Sequence, residues 1–447
     1  MADQSPHRKG AERASGAIVA TATPPGRGGV AVVRVSGEGV RRIAQELLGA
    51  LPPPRRARLV SLTESSGALL DRGLALFFPG PASFTGEDVL ELQVHGSPVA
   101  CDLLIARICE LGARPAGPGE FSLRAFLNDR MDLSQAEAVA DLIDAAGASA
   151  ARAAARSMQG AFSEAVEALV VRLTRLRAHL EATMDFPDEE VDPLEDRALA
   201  RGFDELGKAF AAIAEAAERG RILRDGLNVA LSGEPNAGKS SLLNALAGEP
   251  AAIVADEPGT TRDLVRVQVS VKGVPVELID TAGLRPAADG AEREGVRRAR
   301  AAGETADLVL RVWDAAAGGA EPAAGERAVL VRNKVDLTGE APGRSASGAV
   351  NVSAKTGAGL DALRELLAEK AGGSPDGAFS ARARHTGSLK AARRKHQEAA
   401  SLFHRRQPVE LIAEELRLAQ ECLGEITGAV SSDDLLGEIF SQFCIGK

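Results

Sequence analysis

The residues best suited to chemistry lie in the run Gly233–Ser240, which reads Gly-Glu-Pro-Asn-Ala-Gly-Lys-Ser. The pattern G-x-x-x-x-G-K-S is typical of a phosphate-binding loop, because its glycines let backbone N–H groups turn inward around a phosphate. An apolar run at 227–231 precedes it and a helix-like run at 241–247 follows it, as this motif requires. We expect Lys239 to reach the β- and γ-phosphates of a nucleoside triphosphate and the Ser240 hydroxyl to bind Mg²⁺. Taken alone, the pattern could also be a chance glycine-rich turn.

Two motifs further along the chain would complete the phosphate end of such a site. The run Gly259-Thr260-Thr261-Arg262-Asp263 offers a threonine to Mg²⁺, and we assign this role to Thr261. The run Asp280-Thr281-Ala282-Gly283 ends an apolar strand. Asp280 can therefore hold Mg²⁺ through water, and the Gly283 N–H can meet the γ-phosphate.

Two more motifs select the base. The run Asn333-Lys334-Val335-Asp336 ends another strand, and an aspartate there can accept hydrogen bonds from N1–H and N2–H₂ of guanine, which adenine lacks. The run Ser353-Ala354-Lys355 follows the next strand and should close over the base. Each short motif is weak by itself, but their order along the chain predicts GTP as the nucleotide.

The hydrolytic step has two gaps in this sequence. Phosphoryl transfer depends mainly on positioning and on neutralising charge. Where many GTPases carry a glutamine to orient water, this chain has Leu284, and it has no obvious arginine finger, although Arg285 is close in sequence. Another group must supply both functions.

The elements that position these motifs predict a multidomain α/β and α protein. An α+β domain at 17–129 should contain strands at 18–20, 30–35, 74–78 and 88–94 and helices at 40–48 and 99–111. The alternation of strands and helices between 227 and 370 predicts a mostly parallel sheet of a Ras-like P-loop GTPase domain.

Long amphipathic helices surround that GTPase domain in the sequence. Apolar residues at helical spacing predict helices within 133–185 and 196–223, and the tail from 381 to 447 is again helical, with one helix at 432–443. We expect the tail to pack on the earlier helices, so that the GTPase domain is inserted into a discontinuous helical bundle. The predicted regions are a flexible tail (1–16), the N-terminal domain (17–129), a first helical segment (130–224), the G domain (225–372) and a second helical segment (378–447).

Composition limits the remaining choices. The 447 residues carry a formal net charge of −9, so any RNA contact must be a local patch. No apolar run reaches the ~18 residues of a membrane span. The polar segment Met1–Ser15 lacks the apolar core of a signal peptide, which predicts a cytoplasmic location. The four cysteines form no C-x-x-C pair and should be reduced thiols.

The chain resembles the MnmE (TrmE) family of potassium-activated tRNA-modification GTPases from Ile18 to Lys447. The stretches that carry this resemblance are Thr23–Gly29, Ser83–Asp88, Pro118–Phe121, Phe186–Glu190, Gly233–Leu246, Leu416–Gln420 and Phe443–Lys447. The last of these, with its terminal Cys-Ile-Gly-Lys, is specific, because other GTPases with this phosphate loop lack it.

The resemblance implies answers to both hydrolytic gaps. A K⁺ ion would be bound by Asn236 and by the loop Ala255-Asp256-Glu257-Pro258-Gly259-Thr260, with ligands at Asn236, Ala255, Glu257 and Thr260, and Glu292 would orient the water. A cation between the phosphates can take the place of an arginine finger. Without the resemblance, Asn236 could be a turn residue, and Glu292 is better explained as a solvated charge. The full set of candidate nucleotide-binding residues is Asn236, Ala237, Gly238, Lys239, Ser240, Ser241, Ala255–Thr261, Asp280, Thr281, Ala282, Gly283, Asn333, Lys334, Val335, Asp336, Ser353, Ala354 and Lys355.

The resemblance also implies that the N-terminal domain binds tetrahydrofolate and makes a homodimer. The matching folate-binding positions are Arg34, Glu91, Arg130 and Lys447, although relatives commonly have lysine at the position of Arg130. Arg34 and Glu91 could instead be an ordinary ion pair at a strand edge. The candidate catalytic residues are Glu292, Lys239 and Cys444, the last of which the family places near the folate.

The function implied is formation of the 5-carboxymethylaminomethyl or 5-aminomethyl group on the wobble uridine of certain tRNAs. The carbon would come from 5-formyltetrahydrofolate or a related folate, and oxidation would rest with the flavoprotein partner MnmG (GidA) in a heterotetramer. The alternative is a regulatory or ribosome-assembly GTPase that binds RNA without modifying it. A stretch at 381–406 with eight Lys or Arg residues and one Glu is either a solvated helix face or a tRNA contact.

Overall fold

The computed structural model describes residues 16–185, 196–248, 265–271, 274–280, 306–318, 321, 322, 325, 327–371 and 379–446. The chain forms two compact units, one of 1–140 with 421–447 and the other of 141–420. None of the helices in these described ranges is long and apolar enough to cross a membrane.

The first unit is built on a six-stranded sheet with the order β3-β4-β5-β2-β1-β6, antiparallel except for the β1–β6 pair. The strands are β1 (Ile18–Thr21), β2 (Gly28–Ser36), β3 (Arg58–Thr63), β4 (Leu69–Phe78), β5 (Val89–Gly96) and β6 (Arg114–Pro115). Helices α1 (Val40–Leu48) and α2 (Pro98–Glu110) pack their apolar residues on this sheet. The predicted strands and helices of this unit are confirmed. The structure adds β3, β6 and α3 (Glu120–Leu127), which were not predicted from the sequence.

The C-terminal part of the chain completes this unit. Helix α3 packs through Phe126 against Phe440, whose ring centroid lies 6.4 Å away. Phe440 belongs to a short helix at Asp433–Ser441 that begins after the N-cap Ser432, as predicted. Ile445 then forms a β-bridge with Pro118.

The second unit contains a seven-stranded sheet with the order β12-β13-β11-β10-β7-β9-β8. The strands are β7 (Leu227–Ser232), β8 (Val265–Val271), β9 (Val274–Asp280), β10 (Leu308–Asp314), β11 (Ala328–Asn333), β12 (Gly343–Arg344) and β13 (Val350–Asn351). Its central pairs are parallel, as predicted, whereas β8 and β12 are antiparallel. Strand β8 was not predicted, although valine at every second position between 265 and 271 indicates a strand.

The remaining helices confirm the predicted helical character of 133–185, 196–223 and the tail. They are α4 (Leu133–Ile143), α5 (Ala148–Met158), α6 (Ala161–Asp185), α7 (Arg197–Asp225), α8 (Lys239–Ala247), α9 (Val335–Thr338), α10 (Leu360–Lys370), α11 (Ala383–His404), α12 (Val409–Thr427) and α13 (Asp433–Ser441). The tail does return to the earlier helices, because α11 packs on α7, where the rings of Phe403 and Phe203 are tilted relative to each other with their centroids 5.0 Å apart. Helix α7 then leads into β7 through Gly226, which has φ +90°.

Candidate functional site

The phosphate loop joins the end of β7 to the start of α8. Gly233 has φ +145° and Gly238 has φ +93°, and a Cβ at either position would clash, with the Val312 carbonyl oxygen and the Asn333 side chain respectively. Glycine is therefore required at both places, for the backbone conformation and for the close approach. Asn236, although not a glycine, also has positive φ, at +66°, and is exposed on the loop.

Lys239 lies folded over this loop. Its Nζ donates to the carbonyl oxygens of Gly233, at 2.8 Å, and Glu234, at 2.7 Å, and the residue is only 6% exposed. The ammonium thus lies at the centre of the loop, next to the first turn of α8. The helix N-terminus adds positive potential there, so the arrangement can attract a phosphate.

The other loop residues differ in exposure. Ala237 is buried. Ser240 and Ser241 lie on the first turn of α8, and Ser240 is exposed. An exposed hydroxyl at this position fits a hard cation that takes oxygen ligands, such as Mg²⁺.

Asn333 connects the two ends of the nucleotide site. Its Nδ2 donates to the Ala237 carbonyl oxygen at 2.9 Å, and its Oδ1 accepts from the Ala354 N–H at 3.0 Å. The side chain is buried, with 2% exposure. Because both ends of its amide are used, Asn333 fixes the phosphate loop relative to the loop that follows β13.

The residues around Asn333 are also held in place. The Ser353 hydroxyl donates to Asp336 Oδ1 at 2.6 Å, which orients this exposed carboxylate. Lys334 has φ +66°, and its Nζ lies 2.6 Å from Asp314 Oδ2 at the end of β10. The hydrogen bond from Lys334 lowers the pKa of Asp314, so the Asp314 carboxylate is ionised at neutral pH. Val335 is buried and Lys355 is exposed.

The end of β9 reaches the same edge of the sheet. Asp280 is the last residue of β9 and lies opposite Leu231 of the parallel strand β7. Leu231 is two residues before Gly233, the first residue of the phosphate loop. The side chain of Asp280 is outside the described part of the structure. Several other predicted site residues also lie outside the described residues, namely Ala255, Asp256, Glu257, Pro258, Gly259, Thr260, Thr261, Thr281, Ala282, Gly283, Glu292 and Lys447.

The candidate folate residues Arg34 and Glu91 are cross-strand partners on β2 and β5. Arg34 Nε lies 2.9 Å from Glu91 Oε1, and each side chain is 20% exposed. The Arg34 guanidinium also lies over the rings of Phe84 and Phe121, at 5.2 and 5.6 Å from the ring centroids. The two residues are therefore paired with each other, which is the geometry of the ion-pair alternative, and a planar ligand here would compete with or share that pair.

The other two described candidates lie near the loop 83–88 and near the chain end. The side chain of Arg130 runs beside Gly86, because a Cβ on Gly86 would come within 3.2 Å of Arg130 Cγ. Cys444 is exposed, and its carbonyl oxygen accepts from the Gly119 N–H at 3.4 Å. The chain end is thus attached to the start of α3, in the same unit as Arg34.

Comparison with known proteins gives the family. The model described as GTP-binding protein TrmE N-terminus matches residues 17–130, and the model described as MnmE helical domain matches residues 133–444. A protein from Alkalilimnicola ehrlichii named tRNA modification GTPase MnmE is 54% identical over 441 residues, which cover 96% of this chain and 99% of that protein. The chain belongs to the MnmE family.

Further similarities accompany this membership of the MnmE family. A protein of the same name from Erwinia tasmaniensis is 50% identical and covers 97% of this chain and 99% of its own length. Among solved structures, the G domain of the T. maritima FeoB iron transporter is 28% identical, with a TM-score of 0.25, and the match covers 32% of this chain and 98% of that one.

In this member of the MnmE family, the residues that hold the loop 83–88 were not predicted from the sequence. Arg124 of α3, 6% exposed, binds Glu87 and Glu120 at 3.1 Å each and donates to the Gly16 carbonyl oxygen at 3.0 Å. Ser36 donates to Glu87 Oε2 at 2.9 Å. The one available signal was the charged pattern on α3, where Glu120 and Arg124 stand four residues apart.

Glu120 is the most strongly connected carboxylate of this network. Burial opposes its ionisation, but hydrogen bonds from Arg114, the Gly117 N–H and Arg124 outweigh that effect and lower the pKa of Glu120. The carboxylate is therefore charged at neutral pH and acts as a fixed anchor for both arginines.

Proposed function

We propose that this chain is a GTP hydrolase that takes part in tRNA modification. Its membership in the MnmE family over nearly the whole chain supports the proposal, since the relatives compared above are named tRNA modification GTPases. The observation that carries it is the meeting of three separate stretches at one sheet edge, where Asn333 bonds to both Ala237 and Ala354.

The roles proposed for Lys239, Ser240 and Asp336 rest on their place at that edge, and those of Thr261, Gly283 and Glu292 rest on the sequence motifs and the family resemblance. Lys239 and the N–H groups of the loop would bind the phosphates, and Asp336 would accept from the guanine N1–H and N2–H₂. Ser240 and Thr261 would hold Mg²⁺, which supplies positive charge to the phosphates when bound. Asp280 and the Gly283 N–H would complete the γ-phosphate end, and Glu292 would orient the attacking water.

Exchanging Asp336 for asparagine tests the choice of nucleotide. Asp336→Asn removes the acceptor for guanine but offers an amide donor that suits the C2 carbonyl oxygen of xanthine. We expect GTP affinity to fall by roughly 100-fold or more, because a site left with an unpaired polar group rejects its ligand strongly. Xanthosine triphosphate should bind better than GTP to this variant, as measured by competition with a fluorescent nucleotide.

The control is Asp361→Asn, which makes the same chemical change at an exposed aspartate in the first turn of α10. It should bind GTP as the wild type does. Unchanged GTP affinity in Asp336→Asn would contradict the proposed base site, and preference of the wild type for ATP would contradict the function.

We further propose that K⁺ activates hydrolysis through Asn236, Ala255, Glu257 and Thr260. A K⁺ ion bound there would supply the positive charge for which the sequence offers no arginine finger. The exposed position of Asn236 on the phosphate loop is compatible with this role, and its positive φ fits the turn-residue alternative equally well. Single-turnover hydrolysis should be much faster in K⁺ than in Na⁺ at equal ionic strength, and equal rates would refute the proposal.

The finer modification chemistry also belongs to this proposal. A folate such as 5-formyltetrahydrofolate would bind at Arg34, Glu91, Arg130 and Lys447, with Cys444 nearby, and supply the carbon for the wobble uridine. The chain would work in the cytoplasm as a homodimer with the flavoprotein MnmG, and the domain boundaries would be those given above. Mass analysis of wobble uridines in a deletion strain tests the pathway.

A further inference from the structure

Helix α11 carries an unusual concentration of positive charge. The stretch 382–406, which includes one residue before α11 and two after it, contains eight Lys or Arg residues, five of them within α11, and one Glu, in a chain whose formal net charge is −9. The neighbouring helix α12 has the opposite balance, with five Glu and one Arg. Helix α11 is thus the basic member of this pair of helices.

The side chains of α11 separate into two faces. Leu389, His396 and Phe403 are buried on the face that packs against α7. Exposed basic residues lie on the rest of the helix surface and directly after its end. We call the set Lys390, Arg393, Arg394 and the C-cap residue Arg405 the basic face of α11. At about 1.5 Å per residue it extends for about 22 Å, enough to meet phosphates of more than one nucleotide.

The charges of the basic face are mostly available. Within the described part of the chain, no carboxylate forms an ion pair with Arg393, Arg394 or Arg405, and Lys390 lies 3.5 Å from Glu218 in a mainly exposed pair. A surface pair of this kind is weak and screened by salt.

The single acidic residue of α11 does not neutralise this face. Glu398 instead binds Lys395 at 2.9 Å, and Lys395 also binds Glu415 of α12 at 3.0 Å. These three residues satisfy one another on the flank of α11 towards α12. Glu398 therefore acts on Arg394 of the basic face through its charge alone, without an ion-pair contact.

We propose that the basic face of α11 binds the phosphate backbone of the RNA substrate. Exposed arginines and lysines without strong carboxylate partners match a polyanion, because each phosphate contact releases condensed counterions without reading the sequence. The identity of the RNA as tRNA rests on the function proposed above. None of the four residues of the basic face belongs to the motifs of the nucleotide site.

The test measures binding of a fluorescent tRNA transcript to the full chain by anisotropy, between about 50 and 200 mM KCl. The variant is Arg393→Gln with Arg394→Gln. We expect its affinity to fall about tenfold near 100 mM KCl, and the slope of log K against log salt to decrease by roughly 1.4 to 1.8, at 0.7 to 0.9 for each lost phosphate contact. GTP turnover without tRNA should match that of the wild type, which verifies folding.

The matched control is Arg417→Gln on α12, an exposed arginine bonded to Glu414 at 2.8 Å. It removes one positive charge from the same helical region. It should change tRNA affinity by less than about twofold, which is the size expected from a change in net charge alone. The basic face is not the RNA contact if the double variant binds tRNA with the wild-type affinity and salt slope. The same conclusion follows if the control loses as much tRNA affinity for each charge removed as the double variant does. If the wild type itself does not bind tRNA, the proposed role in tRNA modification loses its support together with this surface.

Discussion

The two candidate sites are held together by different kinds of interaction. In the nucleotide site, neutral groups connect the phosphate loop to the loop after β13, since Asn333 bonds to two backbone groups and the Ser353 hydroxyl orients Asp336. The ion pair of Lys334 with Asp314 lies beside these contacts. In the N-terminal unit the candidate ligand residues form a charged pair, Arg34 with Glu91. The nucleotide site therefore presents the Asp336 carboxylate as an exposed group, whereas a folate bound at Arg34 and Glu91 would have to compete with or share an existing ion pair.

This difference should also determine whether the loss of a residue that holds each region in place mainly reduces binding or mainly reduces stability. A neutral amide such as Asn333 acts through geometry, so its loss should mainly reduce binding. A buried charge such as Arg124 compensates other charges, so its loss leaves carboxylates unpaired and should mainly reduce stability.

The largest expected effect is the loss of Arg124. Arg124→Met removes the guanidinium that binds Glu87, Glu120 and the Gly16 carbonyl oxygen, and it should destabilise the N-terminal unit by about 3 to 5 kcal/mol, because a buried charge network is broken. Amide hydrogen exchange in the segment 83–94 of the full chain measures this local stability.

The control for Arg124 is Arg41→Met, which breaks an ion pair with Asp88 at an arginine that is 57% exposed. This variant should exchange as the wild type does. Equal protection of the segment in Arg124→Met and in the wild type would show that the charge network does not support the loop.

The next effect is on nucleotide binding. Asn333→Ala leaves the Ala237 carbonyl oxygen and the Ala354 N–H without their partner, and GTP binding should weaken by about 2 to 4 kcal/mol, at roughly 1 to 2 kcal/mol per unsatisfied group. Isothermal titration with GTP measures the change.

Asn351→Ala is the matched control, because Asn351 is also a buried asparagine in this sheet and donates to the Ala341 carbonyl oxygen at 3.0 Å. It should lower the stability of the domain by about 1 kcal/mol and leave GTP affinity unchanged. The same affinity loss in both variants would mean that Asn333 acts only on stability.

The two sites could be predicted from the sequence to different extents. The phosphate loop, Asn333 and Asp336 follow from local motifs, whose spacing determines their place at the ends of parallel strands. The charged network around Arg124 does not follow from local spacing, because Gly16, Glu87 and Arg124 come from distant parts of the chain. Antiparallel edge strands such as β3 and β8 were missed because the strand predictions relied on apolar runs rather than on alternation.

A smaller effect is expected at the folate candidates. Arg34→Ala with Glu91→Ala removes the whole pair, so no unpaired charge remains, and the affinity for 5-formyltetrahydrofolate should fall roughly 10- to 100-fold, or about 1.4 to 2.8 kcal/mol. Fluorescence titration of the full chain measures this change. Unchanged affinity with unchanged stability would support the alternative in which the pair is only an edge contact of the sheet.

The smallest effect is a pH dependence that arises from His396 in the contact between α11 and α7. The residue is 4% exposed, its ring lies 5.9 Å from that of Phe203 and 5.4 Å from that of Phe210, and its Nε2–H donates to the Phe203 carbonyl oxygen at 3.1 Å. Burial lowers the pKa of His396, with a further contribution from the charge of Arg393, although the bond to Phe203 opposes both. Within the described residues, Nδ1 has no hydrogen-bond partner, so a second proton there would have no acceptor.

The sign of the effect follows from that lowered pKa. Between the ordinary histidine pKa of about 6.5 and the lower folded value, the unfolded chain binds the proton more readily, so stability is present above about pH 6.5 and is lost as the pH falls. For one proton the loss is at most about 1.4 kcal/mol per pH unit. Urea unfolding at about pH 7.5 and about pH 5.5 should show a smaller pH dependence for His396→Gln, which can still donate to Phe203, than for the wild type. His404→Gln, an exposed histidine at the end of the same helix, should behave as the wild type does. An equal pH dependence in all three proteins would mean that the buried ring is not the group that titrates, and that the acid sensitivity of the chain arises from its carboxylate pairs instead.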